Sequence, residues 1–365
     1  MVATFIQKLL SLFDSHLVQN VNRTTHAKNA LLCYITAPFL PQLRRTFAHQ
    51  NHSQIRDIAE ILGSLGYNVD VMNYWARSTL SKNYDLVIDI HPDENKVYWS
   101  HLHPAAKKIV YYTGSYPEFQ NKAEQKRLMS IKKRKGVQLQ AQRQVPPIAK
   151  QIWERFDAVL LMGNARTQKT FPEMNVPIQL IPNTGDEHYP RLSNEQKSTK
   201  SFLFLASGGQ VHKGLDLLLE VFSKHPELEL TICSPFMREK DFTELYSQEL
   251  FQTPNIHPIG FLDPYSKKFQ EIAKKCVYMV SPSASEGMSG SVLIALSVGL
   301  IPIVSQESGV DGLWEFSECS LVNVEKTIVQ ASKKNPKSSG RLPKLYTTTS
   351  FRKQVKEKIT QIISG

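Results

Sequence analysis

The stretch that most restricts what this chain can fold into runs from Val277 to Leu296. An apolar run, Val277 to Val280, passes through Ser281-Pro-Ser-Ala-Ser-Glu-Gly-Met-Ser-Gly-Ser291 into Val292, Leu293, Ile294, Ala295 and Leu296. The first part reads as a buried strand and the last as a helix, so Glu286 stands where a strand hands over to a helix. Gly287, Ser289 and Gly290 leave the first-turn N–H groups uncovered. Unpaired donors at the positive end of a helix hold phosphate or sugar oxygens, and Glu286 would then accept from sugar hydroxyls. The same residues also suit a plain helix cap, in which Glu286 and the serines only satisfy the backbone.

The pattern recurs along the chain. In the first half, Ala30 to Thr36 reads as a strand. Ile55, Ile58, Ala59, Ile61, Leu62 and Leu65 form one helix face closed by Gly66, and Asn68 to Met72 is the next strand. Tyr84 to Ile90 is near-continuously apolar, as in a sheet covered on both faces, and ends at His91-Pro92. Short strands follow at Ile109 to Tyr112, Ala158 to Met162 and Ile178 to Ile181, with a helix at Ile148 to Phe156. Ligands of open parallel sheets bind beyond the carboxyl ends of the strands, so His49, His91 and Thr113 to Tyr116 would face one crevice. A histidine at a strand end can equally be structural.

The polar, aperiodic stretch Asp186 to Lys200 reads as a linker. After it come Phe202 to Ala206, then Ser207-Gly-Gly-Gln-Val-His-Lys-Gly214, then a helix from Leu215 to Phe222. An ammonium beside a helix start is unfavourable unless an anion neutralises both, which points Lys213 toward phosphate. The loop matches neither GxxxxGK[ST] nor GxGxxG, and a simple exposed lysine remains open. Strands at Leu228 to Cys233, Asn255 to Leu262 and Ile301 to Ser305 follow, with a short apolar stretch at Cys319 to Val322. Lys326 to Lys344 is loosely patterned, and Phe351, Val355, Ile359, Ile362 and Ile363 mark a closing amphipathic helix. Met1 to Asn20 also has helical spacing, with too few cations for a strong interfacial anchor.

At 365 residues the chain suggests two domains. No apolar run approaches the ~20 residues of a membrane span, and the start has no signal-peptide pattern, so a cytoplasmic protein is expected. Its four cysteines are far apart, as buried reduced thiols would be. The net charge of +11 is concentrated between Lys122 and Arg143, where eight cations meet one carboxylate, Glu124. Such a run is either a solvated helix face or a peripheral contact with an anionic membrane or lipid phosphate. No stacking aromatics interleave these charges, so nucleic acid is not the expected partner.

The series FLFLASGGQVHKGLDLLLEVF, NIHPIGFLDP and SPSASEGMSGSVLIALSVGLIPIVS, over about Ser201 to Gly312, resembles the nucleotide-sugar-binding domain of retaining GT-B glycosyltransferases of the group 1 (family 4) type. The resemblance implies an α/β fold of two Rossmann-like domains facing across a cleft. Residues 1–186 would form the acceptor side and 187–345 the nucleotide-sugar domain, with a helix over 346–365 packing back on the first. By position, Lys213 would meet the donor diphosphate beside Gly208 and Gly209, while Gly260, Phe261 and Leu262 would lie along the base. Glu286 would hold donor hydroxyls, and the backbone of Gly287, Met288, Ser289, Gly290 and Ser291 would meet sugar and phosphate oxygens. His91 would lie near the reacting carbon, making Glu286, Lys213 and His91 the catalytic candidates.

Two departures stand out. The second glutamate of relatives, eight positions after the first, is Ile294 here, and an arginine five positions before the lysine is Gly208. A cation from the Lys122 to Arg143 region, or Arg166, would have to replace the latter. The expectation is a metal-independent transferase that uses no cofactor beyond its nucleotide diphosphate sugar and acts on a glycan, lipid-linked or small-molecule acceptor. No acidic DxD-type pair ends a strand, although Asp89 is available. The alternative is a non-catalytic binding or scaffold subunit with a degenerate donor site.

Overall fold

The computed structural model describes residues 16–40, 50–190, 192, 197–334, 336 and 340–365. His49, most of the Met1 to Asn20 stretch and part of the 186–200 linker lie outside them. Thirteen strands build two sheets from the described residues. The first holds β1 (Leu17–Val18), β2 (Lys28–Tyr34), β3 (Tyr67–Asn73), β4 (Tyr84–Asp89), β5 (Leu102–Tyr112), β6 (Ala158–Met162) and β7 (Ile178–Ile181), in the order β1-β3-β2-β4-β5-β6-β7. All neighbours are parallel except β1, which runs antiparallel to β3. Leu17 and Val18 therefore pair with Met72 and Val71 as an edge strand, not as the end of a helix. Strand β5 starts seven residues earlier than its apolar run, because its outer half, His103 to Ala105, is exposed and carries no burial signal.

Helix α1 (Gln50–Ser64) buries Ile55, Ile58, Ile61 and Leu62 and hands over to Gly66, whose φ of +90° turns the chain into β3. Helix α2 (Pro117–Lys135) departs from the expected solvated face. Its Leu128 and Ile131, with Leu139 beyond it, are buried in the same apolar cluster as Phe204, Leu215, Leu218 and Phe222 of the second half. Each such burial stabilises by roughly 1.5 to 3 kcal/mol. Arg134 pairs with Asp216 at 2.7 Å and Glu220 at 3.1 Å, Lys135 with Glu249 at 3.0 Å, and Arg127 donates to the Pro282 carbonyl at 2.5 Å. Only Lys122, Lys126, Lys132 and Lys133 of the basic run remain exposed. The segment is an arm that leaves the first sheet and clasps the second.

The second sheet is wholly parallel: β8 (Ser198–Leu205), β9 (Glu229–Cys233), β10 (Ile256–Pro258), β11 (Cys276–Ser281), β12 (Ile301–Val304) and β13 (Trp314–Glu315), in the order β10-β9-β8-β11-β12-β13. Its helices include α3 (Gln210–Lys213), α4 (Leu215–Phe222), α5 (Gly290–Ser297) and α6 (Leu321–Ser332). The stretch from Cys319 is thus a helix entry, not a strand. Ser320 accepts from the Asn323 N–H, and Val324, Ile328 and Ala331 go inward at helical spacing. Helix α7 (Thr348–Ser364) buries Phe351, Val355, Ile359 and Ile362. It lies against α1, where Arg352 pairs with Asp57 and with Glu60 at 2.8 Å. No helix of the described residues is long and apolar enough to cross a membrane.

Candidate active site

Strands β8 and β11 are parallel neighbours, so the loops leaving their carboxyl ends emerge side by side. The first loop carries Lys213 and the second Glu286. Their contact is possible because Gly214, at φ +81°, leaves room for the Pro282 carbonyl, which a Cβ would approach to 2.5 Å. Lys213 Nζ lies 2.5 Å from Glu286 Oε1, and Ser283 Oγ donates to the same oxygen at 2.7 Å. The two charged side chains are only 10% and 13% exposed. Burial works to raise the Glu286 carboxyl, but Lys213 and Ser283 outweigh it and hold it below the usual range. Burial lowers Lys213 and Arg143 adds to that, while Glu286 opposes both. Behind Lys213, His212 is buried with Nε2 2.9 Å from the Ser285 carbonyl. Burial and the Lys213 charge push it down to about 4, so it is neutral at pH 7.

Glu286 does not cap the following helix. Helix α5 begins four residues later with Ser289 as its N-cap, and no side chain caps its first turn. The segment between is held from across the cleft. Ser115 Oγ donates to the Glu286 carbonyl at 2.7 Å, Thr167 Oγ1 to that of Gly287 at 2.8 Å, and Asn183 Nδ2 to that of Met288 at 2.8 Å. These donors follow β5, β6 and β7, so three successive strand ends of the first sheet grip three successive carbonyls of the second half. Gly287 is required there: a Cβ would stand 2.2 Å from the Thr113 carbonyl oxygen. Gly290 meets the Gln50 side chain as closely, while Ser289 donates its N–H to the Ser308 carbonyl at 2.9 Å and Ser291 is half-buried.

The remaining candidates are dispersed. Gly209, at φ +87°, donates its N–H to Glu239 Oε1 at 2.6 Å, and Gln210 donates to Oε2 at 2.9 Å. Gly208 has Glu239 Oε1 as the nearest atom to a would-be Cβ, at 3.7 Å. Gly260, at φ +89°, and Phe261, 66% exposed, lie past edge strand β10, and Leu262 packs on the core beside them. His91 follows β4, donates its N–H to Asp89 at 2.9 Å and faces Tyr74 edge-on at 5.9 Å. No hydrogen bond or ion pair joins it to Lys213 or Glu286 among the described residues. Asp89 is fully buried, 3.0 Å from the Tyr98 hydroxyl and 3.7 Å from Lys96 Nζ, and burial raises it to about 6.

Sequence reasoning did not find Glu239, Ser283, Thr167 or Asn183 as parts of this site. Glu239 was within reach, as an acid in the loop after β9, the strand next to β8. Asn164 to Thr167 carries a capping box that signals a helix start after β6, but nothing local says that Thr167 reaches Gly287. A cavity of about 600 Å³ adjoins the site between α2 and the ends of β11 to β13, with Arg127, Ser283, Ser305 and Glu307 on its wall. A smaller one of about 260 Å³ is bounded by Ile294, Tyr265, Arg56 and Gln50.

Residues 188–325 match the model of the family described as Glycosyl transferases group 1. No curated protein matches the sequence. Among solved structures, sucrose-phosphate synthase from Thermosynechococcus elongatus superposes with a TM-score of 0.61 at 13% identity, over 92% of this chain and 99% of that one. Anabaena HepE in complex with UDP and glucose gives 0.58 at 12%, over 92% and 100%. A glycosyltransferase from Rickettsia africae gives 0.54 at 12%, over 93% and 94%. The Lys213 and Glu286 loops both fall inside the segment similar to the group 1 glycosyl transferases, and the chain as a whole has the two-sheet GT-B fold of these structures.

Proposed function

We propose that this protein transfers a sugar, with retention of anomeric configuration, from a nucleotide diphosphate sugar to an acceptor held mainly by the first sheet's domain. The observation that carries the reading is the buried Lys213–Glu286 pair at the carboxyl ends of adjacent strands, facing the strand ends of the other sheet. Loss of a nucleoside diphosphate builds negative charge on the leaving oxygen. Lys213 and the uncapped start of α5 are preorganised to stabilise that charge without a metal ion. Glu286, kept ionised by Lys213, accepts from sugar hydroxyls. Gly260 to Leu262 serve the base, and His91 lines the acceptor side. The acceptor is a glycan, a lipid-linked sugar or a small molecule. In the second case the exposed Lys122, Lys126, Lys132 and Lys133 meet an anionic membrane surface, where each cation adds about 1 kcal/mol.

A melting-temperature screen against UDP, GDP and ADP sugars tests the reading, followed by assay of nucleotide release from any that bind. UDP sugars head the screen because HepE holds UDP and glucose. Ligand at ~100 times its dissociation constant adds ~2.7 kcal/mol, an easily read shift. No shift with any of the three would turn the reading toward a non-catalytic scaffold.

A further inference from the structure

Gly208 leaves Lys213 without a cation on its own loop, and the arm that follows α2 brings one. The stem of Arg143 lies across Gly209: a Cβ there would stand 2.2 Å from Arg143 Cγ and 2.7 Å from Cδ, so only glycine admits the arginine. The Lys213 N–H is bonded to the Gly209 carbonyl at 2.8 Å, which places the stem one helical turn from Lys213. Arg143 is set there deliberately by its backbone. Its N–H is shared between the two oxygens of Glu124, at 2.9 and 3.1 Å, and its carbonyl accepts from Gln120 Nε2 at 2.7 Å. Glu124 itself is 1% exposed.

The charges around this point do not balance. Arg143 Nε is buried with no hydrogen-bond partner among the described residues. Glu286 is committed to Lys213 and Ser283, and Glu239 to the Gly209 and Gln210 amides. A buried donor left unpaired costs about 1 to 3 kcal/mol, more on a charged group, so a second cation beside Lys213 makes sense only opposite an anion. Arg166, the other candidate, turns instead to Gln306 Oε1 at 3.0 Å.

We propose that Arg143, delivered by the arm from the first half of the chain, is the second cation that meets the donor's diphosphate beside Lys213. The inference rests on the donor reading above and adds that the diphosphate site is assembled from both halves. The arm's ion pairs to Asp216, Glu220 and Glu249 then fix a substrate contact as well as a fold.

The test uses the full chain and calorimetric titration with UDP, GDP and ADP and with their nucleosides. Arg143→Met keeps the apolar stem over Gly209 and removes the charge, while Arg143→Lys returns a charge without the guanidinium. On whichever diphosphate the wild type binds, Arg143→Met is expected to lose about 10- to 100-fold in affinity, as for a charged hydrogen bond, and Arg143→Lys to regain part of it. Nucleoside affinity and melting temperature should be unchanged. Wild-type affinity in Arg143→Met, with binding lost in Lys213→Ala, would overturn the role of Arg143 and leave the donor reading standing. An equal loss for diphosphate and nucleoside would also overturn it, since that marks packing. If the wild type binds none of the three diphosphates, the donor reading fails and this inference with it.

Discussion

Lys213 Nζ and Glu286 Oε1 meet at 2.5 Å although 73 positions separate them in the chain. Two carboxyl-terminal loops of one sheet deliver opposite charges to one buried point. If a donor is to enter, its diphosphate has to share Lys213 and its sugar has to share Glu286. Lys213→Ala and Glu286→Gln should therefore each lower turnover on the identified donor by ~100- to 1000-fold, the usual cost of one charge-stabilising group. The fold should respond differently. Lys213→Ala leaves a buried carboxylate uncompensated, which costs about 3 to 5 kcal/mol, so the double variant should melt no lower than Lys213→Ala alone. Near-normal nucleotide release from both single variants would remove this pair from the chemistry.

Much of this was legible in the sequence, for an identifiable reason. Parallel strands buried on both faces leave near-continuous apolar runs, so Ala158 to Met162 could be bounded to the residue, while the half-buried edge strand Ile178 to Ile181 was bounded by Pro177 and Pro182 on either side. Lys213 and Glu286 were singled out because each stands at a strand-to-helix handover, although that position alone also fitted a plain helix cap and an exposed lysine. The arm was not. Its cations read as a wetted face, since sequence periodicity says which residues share a side but not which neighbour they meet. Arg134 finds Asp216 and Glu220 only once β8 and α4 are in place. Glu239, Thr167 and Asn183 were hidden likewise, because their partners come from other strand ends.

His212 should make stability depend on pH. Its folded pKa, pushed down to about 4 by burial and by Lys213, lies below the ordinary value of 6.5. The unfolded chain therefore binds the proton first as pH falls. The stability is fully present above about 6.5 and is lost as pH falls from there toward 4. At ~1.4 kcal/mol per unit, the full loss is roughly 3 kcal/mol. Urea midpoints at pH 7 and pH 5 should separate in the wild type and draw together in His212→Asn, which cannot take up the proton. Equal separations in both proteins would assign the slope to other groups.

Arg134 should hold the arm to the second sheet. Its partner Asp216 is fully buried with Arg127, Arg134 and Glu220 around it, so Arg134→Ala leaves the two acids with Arg127 as their remaining cation. Arg134 keeps a fifth of its side chain in water, so the cost belongs at the low end for a buried pair, about 3 kcal/mol. Limited proteolysis reads the consequence directly: cleavage between Gly136 and Pro147 should rise in Arg134→Ala before the rest of the chain is attacked. Unchanged cleavage would mean that Leu128, Ile131 and Leu139 hold the arm without help from the charges.

Gly287 should govern how closely the two halves approach. A Cβ on it would stand 2.2 Å from the Thr113 carbonyl oxygen, 2.6 Å from its carbon and 2.9 Å from the Gly114 nitrogen, all of them backbone atoms that cannot rotate away. Its own φ is not positive, so alanine costs nothing locally and the whole effect falls on the contact between domains. Gly287→Ala should push the Glu286 to Met288 carbonyls away from Ser115, Thr167 and Asn183, losing about 1 to 3 kcal/mol. Small-angle scattering should then show a larger radius of gyration, with each half still folded. Adding Thr113→Gly should not restore the wild-type value, because the obstacle is the carbonyl rather than the threonine side chain. A Gly287→Ala protein with wild-type melting temperature and radius would mean that the halves do not rest in this contact in solution.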